Sequence, residues 1–238
     1  MGQRIKSVLI IMFCTVMSNA FATPDLANND PYEHFNRAMF QFNETVDGYV
    51  LKPLARLYMI LVPAPISRCI GQFFSNIDMV PTVLNDVLQG NIYQATSDTW
   101  RLAINTTVGL LGFFDPASHI GLEPNTEDFG LTLAKWGFKD SNYLVLPFIG
   151  PGTVRDQLAW YPNYTFFTIY PYIDPIRARY EVYFSGVIVK RAEALRYESV
   201  LEKAALDRYT FVRDAYMQHR NYQIQRNEEL GDPYLVKS

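Results

Sequence analysis

Little in this chain of 238 residues points to a cofactor or to a covalent cross-link. There are two cysteines, and Cys14 falls inside an N-terminal leader, so the folded part keeps only Cys69 and no internal disulfide. Packing must supply the stability. The three histidines, His34, His119 and His219, stand apart, with no HExxH and no cysteine at metal-ligand spacing, so neither a metal nor any other cofactor is expected. No GxSxG elbow is present. Gly150-Pro151-Gly152-Thr153 lacks the lysine of a phosphate loop and reads as a turn leading into a helix capped by Thr153. Basic residues are not in excess, with 21 Lys and Arg against 24 Asp and Glu, so nucleic acid is not an expected partner. No apolar run reaches the roughly 18 residues that a simple membrane-crossing helix needs.

The chain is nonetheless rich in aromatics, with 16 Tyr and 16 Phe. Amphipathic rings suit membrane interfaces and binding surfaces, and they suit a tyrosine-rich core equally well. A hydrophobic fraction of 49% and a mean hydropathy of -0.05 argue against both a multi-pass membrane protein and a disordered one. Residues 1–22 have the pattern of a signal peptide: Arg4 and Lys6, an apolar stretch over 8–17, then Ala20-Phe21-Ala22 before a cleavage point at Thr23. Residues 23–238 read as a single helical domain. Cys14 offers a second reading as a lipidation site. Ile11 fits a lipoprotein signal ending before Cys14, whereas Phe13 is too large for the position just ahead of the cysteine.

Hydrophobic spacing predicts an all-α fold. Asp30-Pro31-Tyr32-Glu33 reads as a capped helix start, and Tyr32, Phe35, Met39, Phe42, Val46 and Tyr49 form an apolar face of that helix. A short helix follows from Pro53 to Ile60, then a break at Val62-Pro63. Further helices are expected over 66–75, from Pro81 to Gly90, and over 91–109. Loop 109–125 is rich in glycine and proline yet strongly apolar, so it is expected to be buried or to touch lipid. Residues 126–137 read as a capped helix and 143–149 as an extended run. From Pro175 to about Gln225 one or two long helices are expected, with a stripe of Leu201, Ala205, Tyr209, Val212 and Tyr216.

Carboxylates at Asp115, Glu127 and Asp128 are the residues from which acid–base chemistry would have to come, and capping is their plainer role. The pairs Arg155-Asp156 and Lys203-Asp207 read as structural. Beside the apolar face of the first helix runs a polar row, Asn36, Asn43 and Asp47. On periodicity alone the row is the rim of a solvated face. In a membrane setting such a row lines a bundle interior or a water-filled path.

Five linked motifs bear on that choice: "DPYEHFNRAMFQFN" with "YVLKPLA" (30–55), "VPAPI" with "FFSNIDMVPTVLNDVLQG" (62–90), "RLAINTTVGLLGFFDPAS" (101–118), "EDFGLTLAKWG" (127–137) and "YLVLPFIGPGTVRD" (143–156). In this order they resemble the MlaA/VacJ family of bacterial outer-membrane proteins across most of residues 30–156. Beyond about residue 160 the similarity is one of composition and helicity. The resemblance implies a ring of short amphipathic helices with a polar central channel and a long C-terminal helix, lying on the periplasmic side of a Gram-negative outer membrane. It implies phospholipids as cargo, a trimeric porin and a periplasmic lipid-carrier protein as partners, and no bond-breaking chemistry. The job implied is removal of misplaced phospholipid from the outer leaflet.

On that reading Asn36, Asn43 and Asp47 line the channel, while Phe35, Met39 and Phe42 face packing or lipid. Gly109, Gly112 and Gly121 let loop 109–122 hinge as a gate, the other reading being a static plug in the core. A brace for porins and a phospholipid hydrolase remain as alternatives. The family is generally lipidated, whereas Phe13 spoils the signal at Cys14. Cleavage after Ala22 is therefore expected, and the intact mass of the mature protein checks it: an N-terminal Thr23 agrees, a triacylated Cys14 does not.

Overall fold

The computed structural model describes residues 30–204 and 207–230. The leader, its cleavage point, Cys14 and Ala205 lie outside them. Helix α1 (Glu33–Val46) starts with Tyr32 at the capping position and no side-chain cap there, rather than at Asp30. Glu33 reaches forward to Arg37 at 2.7 Å. The helical rod does not stop at Val46. A π-turn over Asp47–Leu51, closed by the Lys52 amide on the Asp47 carbonyl, carries the rod into α2 (Lys52–Leu61). The widened turn relieves the clash that Pro53 would otherwise make with the carbonyl four residues back.

Val62 is extended before Pro63, as a residue preceding proline prefers, and the chain bends there. Helix α3 (Ala64–Leu88) then runs for 25 residues straight through Pro81, where two helices were expected. Pro81, Thr82, Asn85 and Asp86 lie on its buried face, and their packing outweighs the roughly 3 kcal/mol cost of an internal proline. Helix α4 (Ile92–Thr107), capped by Asn91, packs against α3. A short α5 (Pro116–His119) and α6 (Phe129–Lys135, capped by Asp128) follow.

Strands β1 (Tyr143–Leu146) and β2 (Gly150–Thr153) form an antiparallel hairpin with Tyr143 opposite Thr153. The turn expected at 150–153 is therefore strand. Gly150, at a φ of 95°, lets the chain return directly after Phe148. Thr153 caps α7 (Val154–Pro162), as expected. After a π-turn and a short 3₁₀ turn, two long helices close the fold, α8 (Ile176–Ala204) and α9 (Arg208–Leu230). The fold is thus mostly helical, with two long C-terminal helices and a third long helix in α3. Neighbouring elements close a circuit from α1 to the hairpin, α7, α6, α3, α8 and α2, and back to α1. The densest apolar packing is small: Tyr143, Val145 and Tyr209 are buried together, with Met39, Phe40, Tyr216 and Met217 against them.

Polarity is inverted over much of the molecule. On α3 the buried face is Thr82, Asn85, Asp86 and Gln89, while Leu84, Val87 and Leu88 point outward. On α4 Asp98, Arg101 and Asn105 are buried, while Ile92, Tyr93 and Trp100 are exposed. Such an interior holds only if its polar groups satisfy one another. Thr132 donates to Asn85 Oδ1 at 2.8 Å, and Asn125 donates to Asp98 Oδ2 at 3.0 Å.

Within this layer Asp86 and Asp98 are both buried and hydrogen-bonded to each other. Burial first, then the hydrogen bond and charge of Asp98, push Asp86 up to about 9, so at neutral pH it carries a proton and shares it with Asp98. The folded protein therefore holds a proton that the unfolded chain gives up near 3.8, and stability declines as pH rises between those two values. One such proton is worth at most about 1.4 kcal/mol per pH unit. Asp86→Asn, which keeps a donor and loses the titration, is expected to lose less melting temperature than the parent between about pH 5 and about pH 9. Equal losses in thermal melts would remove the shared proton from the account.

Candidate functional site

The polar row of α1 is hydrogen-bonded along its length, and Asn36 within it is fully buried. Asn36 is 0% exposed, and its side-chain amide donates to the Tyr143 carbonyl at 3.1 Å and accepts from the Val145 amide at 2.9 Å. Asn43 repeats the arrangement two turns on, donating to the Leu146 carbonyl at 2.9 Å and accepting from the Phe148 amide at 2.8 Å. Seven residues of helix advance about 10.5 Å, and three residues of strand about 10 Å. The two amides therefore meet equivalent points of β1, and α1 binds the hairpin as a neighbouring strand would. The polar atoms of both asparagines, expected to line a channel, are committed to the hairpin backbone.

Asp47 is also committed. Its carboxylate takes two bonds from Arg191 on α8, both 2.6 Å. Arg191 also reaches Glu198 at 3.1 Å, and Lys52 and Arg208 hold the same glutamate at 3.1 and 3.4 Å. The hydrogen bonds that it donates to Asp47 raise Arg191 above its ordinary range. Burial pushes Glu198 up, but Arg191 and Lys52 outweigh it and hold it below the ordinary value. This cluster fastens the π-turn to α8. Of the pairs expected as structural, Arg155–Asp156 forms, whereas Asp207 binds Arg37 at 2.8 Å; Lys203 lies outside the described side chains.

The loop after α4 is held at its base and apolar at its tip. Asp115 caps α5 and takes bonds from Arg101 (2.6 Å), Asn105 (2.9 Å) and Ser118 (2.7 Å). Burial works against this carboxylate, yet the bonds from Ser118, Asn105 and Arg101 keep it low. A Cβ at Gly109 would lie 2.4 Å from the carbonyls of Asn105 and Phe114, and one at Gly112 2.4 Å from Asn76. Close packing accounts for both glycines without a hinge, while Gly121, at a φ of 84°, has open space. Leu110 and Leu111 are left-handed, with φ of 52° and 59°, a conformation costing about 1–2 kcal/mol per residue. They stand outward with Val108, Phe114 and Ile120. These side chains are not in the core.

A cavity of about 260 Å³ opens between α6, the hairpin, α7 and α9, with Phe129, Ile149, Trp160 and Asn163 among its walls. Arg220 forms its charged floor. Nε and Nη2 bind Asp156 at 3.1 and 2.7 Å, both Nη atoms bind Asp128 at 2.7 Å, and Nη1 also reaches Gln223. All five donors are engaged, so this guanidinium has none left for a phosphate. Burial opposes the Arg220 charge, but the two carboxylates raise it above its ordinary range. Burial would likewise raise Asp156, and the charges of Arg220 and Arg155 hold it at about 2. Tyr216, pushed up by burial and by Asp156, donates to that carboxylate at 2.8 Å.

A second buried carboxylate, Glu127, takes Gln89 (2.8 Å), Asn227 (2.7 Å) and Arg226 (2.7 Å). Sequence reasoning missed Arg220, Gln223, Arg226 and Asn227. The signal was present: Arg220, Gln223 and Asn227 recur at spacings of three and four on α9 and form a buried polar stripe.

These elements were compared with known proteins. The family model described as MlaA lipoprotein matches residues 28–223. The chain belongs to the MlaA family. Among its MlaA-family relatives, an uncharacterised protein of Rickettsia bellii is 33% identical over 256 residues, covering 99% of this chain and all of that one. The "Intermembrane phospholipid transport system lipoprotein MlaA" of Escherichia coli K12 is 31% identical over 206 residues, covering 84% of this chain and 80% of the relative. A solved structure from "Structural basis for maintenance of bacterial outer membrane lipid asymmetry" superposes with a TM-score of 0.68 at 31% identity, covering 82% of this chain and 98% of that one.

The asparagine pairing yields a direct stability expectation. Asn36→Ala strands two buried backbone groups, each costing about 1–3 kcal/mol. It should lower unfolding stability in mild detergent by about 2–4 kcal/mol, with Asn43→Leu costing less and speeding hydrogen exchange at the Phe148 amide. A fully stable Asn36→Ala protein would contradict the pairing.

Proposed function

We propose that this chain moves phospholipid across the outer membrane of a Gram-negative cell, taking molecules misplaced in the outer leaflet toward the periplasmic side. One observation carries the reading beyond family membership: an apolar exterior wrapped around a hydrogen-bonded polar interior. Large apolar side chains stand exposed on α2, α3, α4 and the loop beyond α4, and lipid is the solvent that makes such a surface stable. Among the described residues no helix is long and apolar enough to cross a membrane. Amphipathic helices lying in one leaflet account for both facts.

In this reading the circuit of elements encloses the lipid path, and the headgroup passes along the polar side while the chains stay in oil. The apolar tip of Val108, Leu110, Leu111 and Phe114 sits in the acyl region. A trimeric porin would hold the protein in place, and a soluble periplasmic carrier would receive the lipid, with direction set by an energised partner. Acylation of Cys14 would add an anchor to that supplied by buried area, a single chain being a weak one.

The test is the amount of phospholipid in the outer leaflet of cells with and without the gene. Accumulation on deletion, reversed by the intact gene, is expected. A normal outer leaflet on deletion would leave only a bracing role beside porins, and release of fatty acid from vesicles by the purified chain would point to hydrolysis.

A further inference from the structure

Between Gly48 and Ile77 the chain carries Lys52, Arg56 and Arg68 and no aspartate or glutamate, in a protein whose overall charge is -3. The stretch forms the end of the first helical rod, the bend at Val62-Pro63 and the start of α3. Helix α2 packs on α8 through a narrow face on which Ala55 is fully buried. The rest of its circumference looks outward: Leu54, Leu57 and Met59 are exposed, Ile60 is 80% exposed and Leu61 69%. Ile66, at the start of α3, extends the same apolar corner.

The three cations differ in what holds them. Lys52 has Glu198 at 3.1 Å. Arg56 and Arg68 are exposed, and no hydrogen bond or ion pair reaches either among the described residues. Each of the other described arginines has at least one such partner. Two guanidiniums with no partner among the described residues therefore stand beside an exposed aliphatic corner. A guanidinium presents five donors and no acceptor, so its complement is an anion made of acceptors. From Gly48 to Arg68 there is no Asn, Gln, Asp, Glu or Thr. A protein interface, which needs about one hydrogen bond per 100–200 Å², would find few acceptors here. A lipid surface asks for donors at the phosphate level and aliphatic bulk beneath.

We propose that the α2–α3 corner docks into a lipid surface, with Leu57, Ile60, Leu61 and Ile66 in the acyl layer and Arg56 and Arg68 on the phosphates of anionic phospholipids. This deepens the transport reading by assigning the part of the fold that meets lipid, and its test requires no transport. Purified full-length chain is diluted from detergent onto phosphatidylcholine vesicles, or onto vesicles that also contain phosphatidylglycerol, and binding is read by flotation at low salt. Each basic residue at an anionic surface is worth about fivefold in binding. Arg56→Gln with Arg68→Gln should therefore weaken binding to the anionic vesicles roughly thirtyfold and leave the neutral ones unaffected. Arg56→Lys with Arg68→Lys should retain most of the binding, and Ile60→Ser with Leu61→Ser should weaken it on both vesicles.

Unchanged binding of the double glutamine variant would overturn the proposal, as would an equal loss on both vesicle types, which would assign the arginines to folding. A photo-crosslinker at Ile60 that captures a protein in cells instead of lipid would overturn it in favour of a protein partner. A normal outer leaflet on gene deletion would remove the transport reading and leave the vesicle result standing.

Discussion

The carboxylate of Glu127 joins segments far apart in the chain: Gln89 at the end of α3, and Arg226 and Asn227 near the end of α9, with its own backbone amide on Thr82. Burial raises this group above its ordinary value, and the bonds it collects offset that cost. The same constraint governs the rest of the interior. A polar group taken out of water must be met by another, so Asp86 keeps a proton for Asp98, Arg220 is filled by two aspartates, and Asp115 gathers the base of the loop. A hydrogen-bonded interior dictates its own geometry more strictly than an apolar one, because each bond has a direction.

That interior frees the outside to be apolar. Leucine, isoleucine, valine and aromatic side chains on α2, α3, α4 and the loop beyond α4 contribute little to a central core, and they stand where lipid can cover them. The hairpin shows how the two requirements combine. Phe148, at its tip, is exposed, while the backbone on either side of Leu146 is taken by asparagine side chains from α1. A two-stranded hairpin is marginal alone, and α1 supplies the missing edge partner.

Much of the fold was legible in sequence because caps, prolines and helical periodicity act locally. Thr153 caps the helix expected of it, Asp128 takes the capping role read for it, and Val62-Pro63 breaks the chain where expected. Pro53 stands in the first turn of the helix it was expected to start, whereas Pro81 was misread. A proline's cost is local, whereas the π-turn before Pro53 and the buried face around Pro81 are set by packing against distant elements. The polar row of α1 was seen as a row, but the partners of its side chains were not. Spacing says which residues share a face but not what lies opposite that face, and here it is a strand more than 100 residues away.

The sequence by itself determined the family, the helical class and the lack of a disulfide framework, since linked motifs, periodicity and cysteine count are properties of the chain alone. Only the tertiary structure decided which side of each helix is inside. An amphipathic helix can turn its apolar face to a core or to lipid, and its periodicity is the same either way. The choice rests on whether the polar faces of distant segments can satisfy one another. In this protein Glu127, Arg220, Asp86 and the asparagines of α1 find those partners, and the apolar faces are left outside.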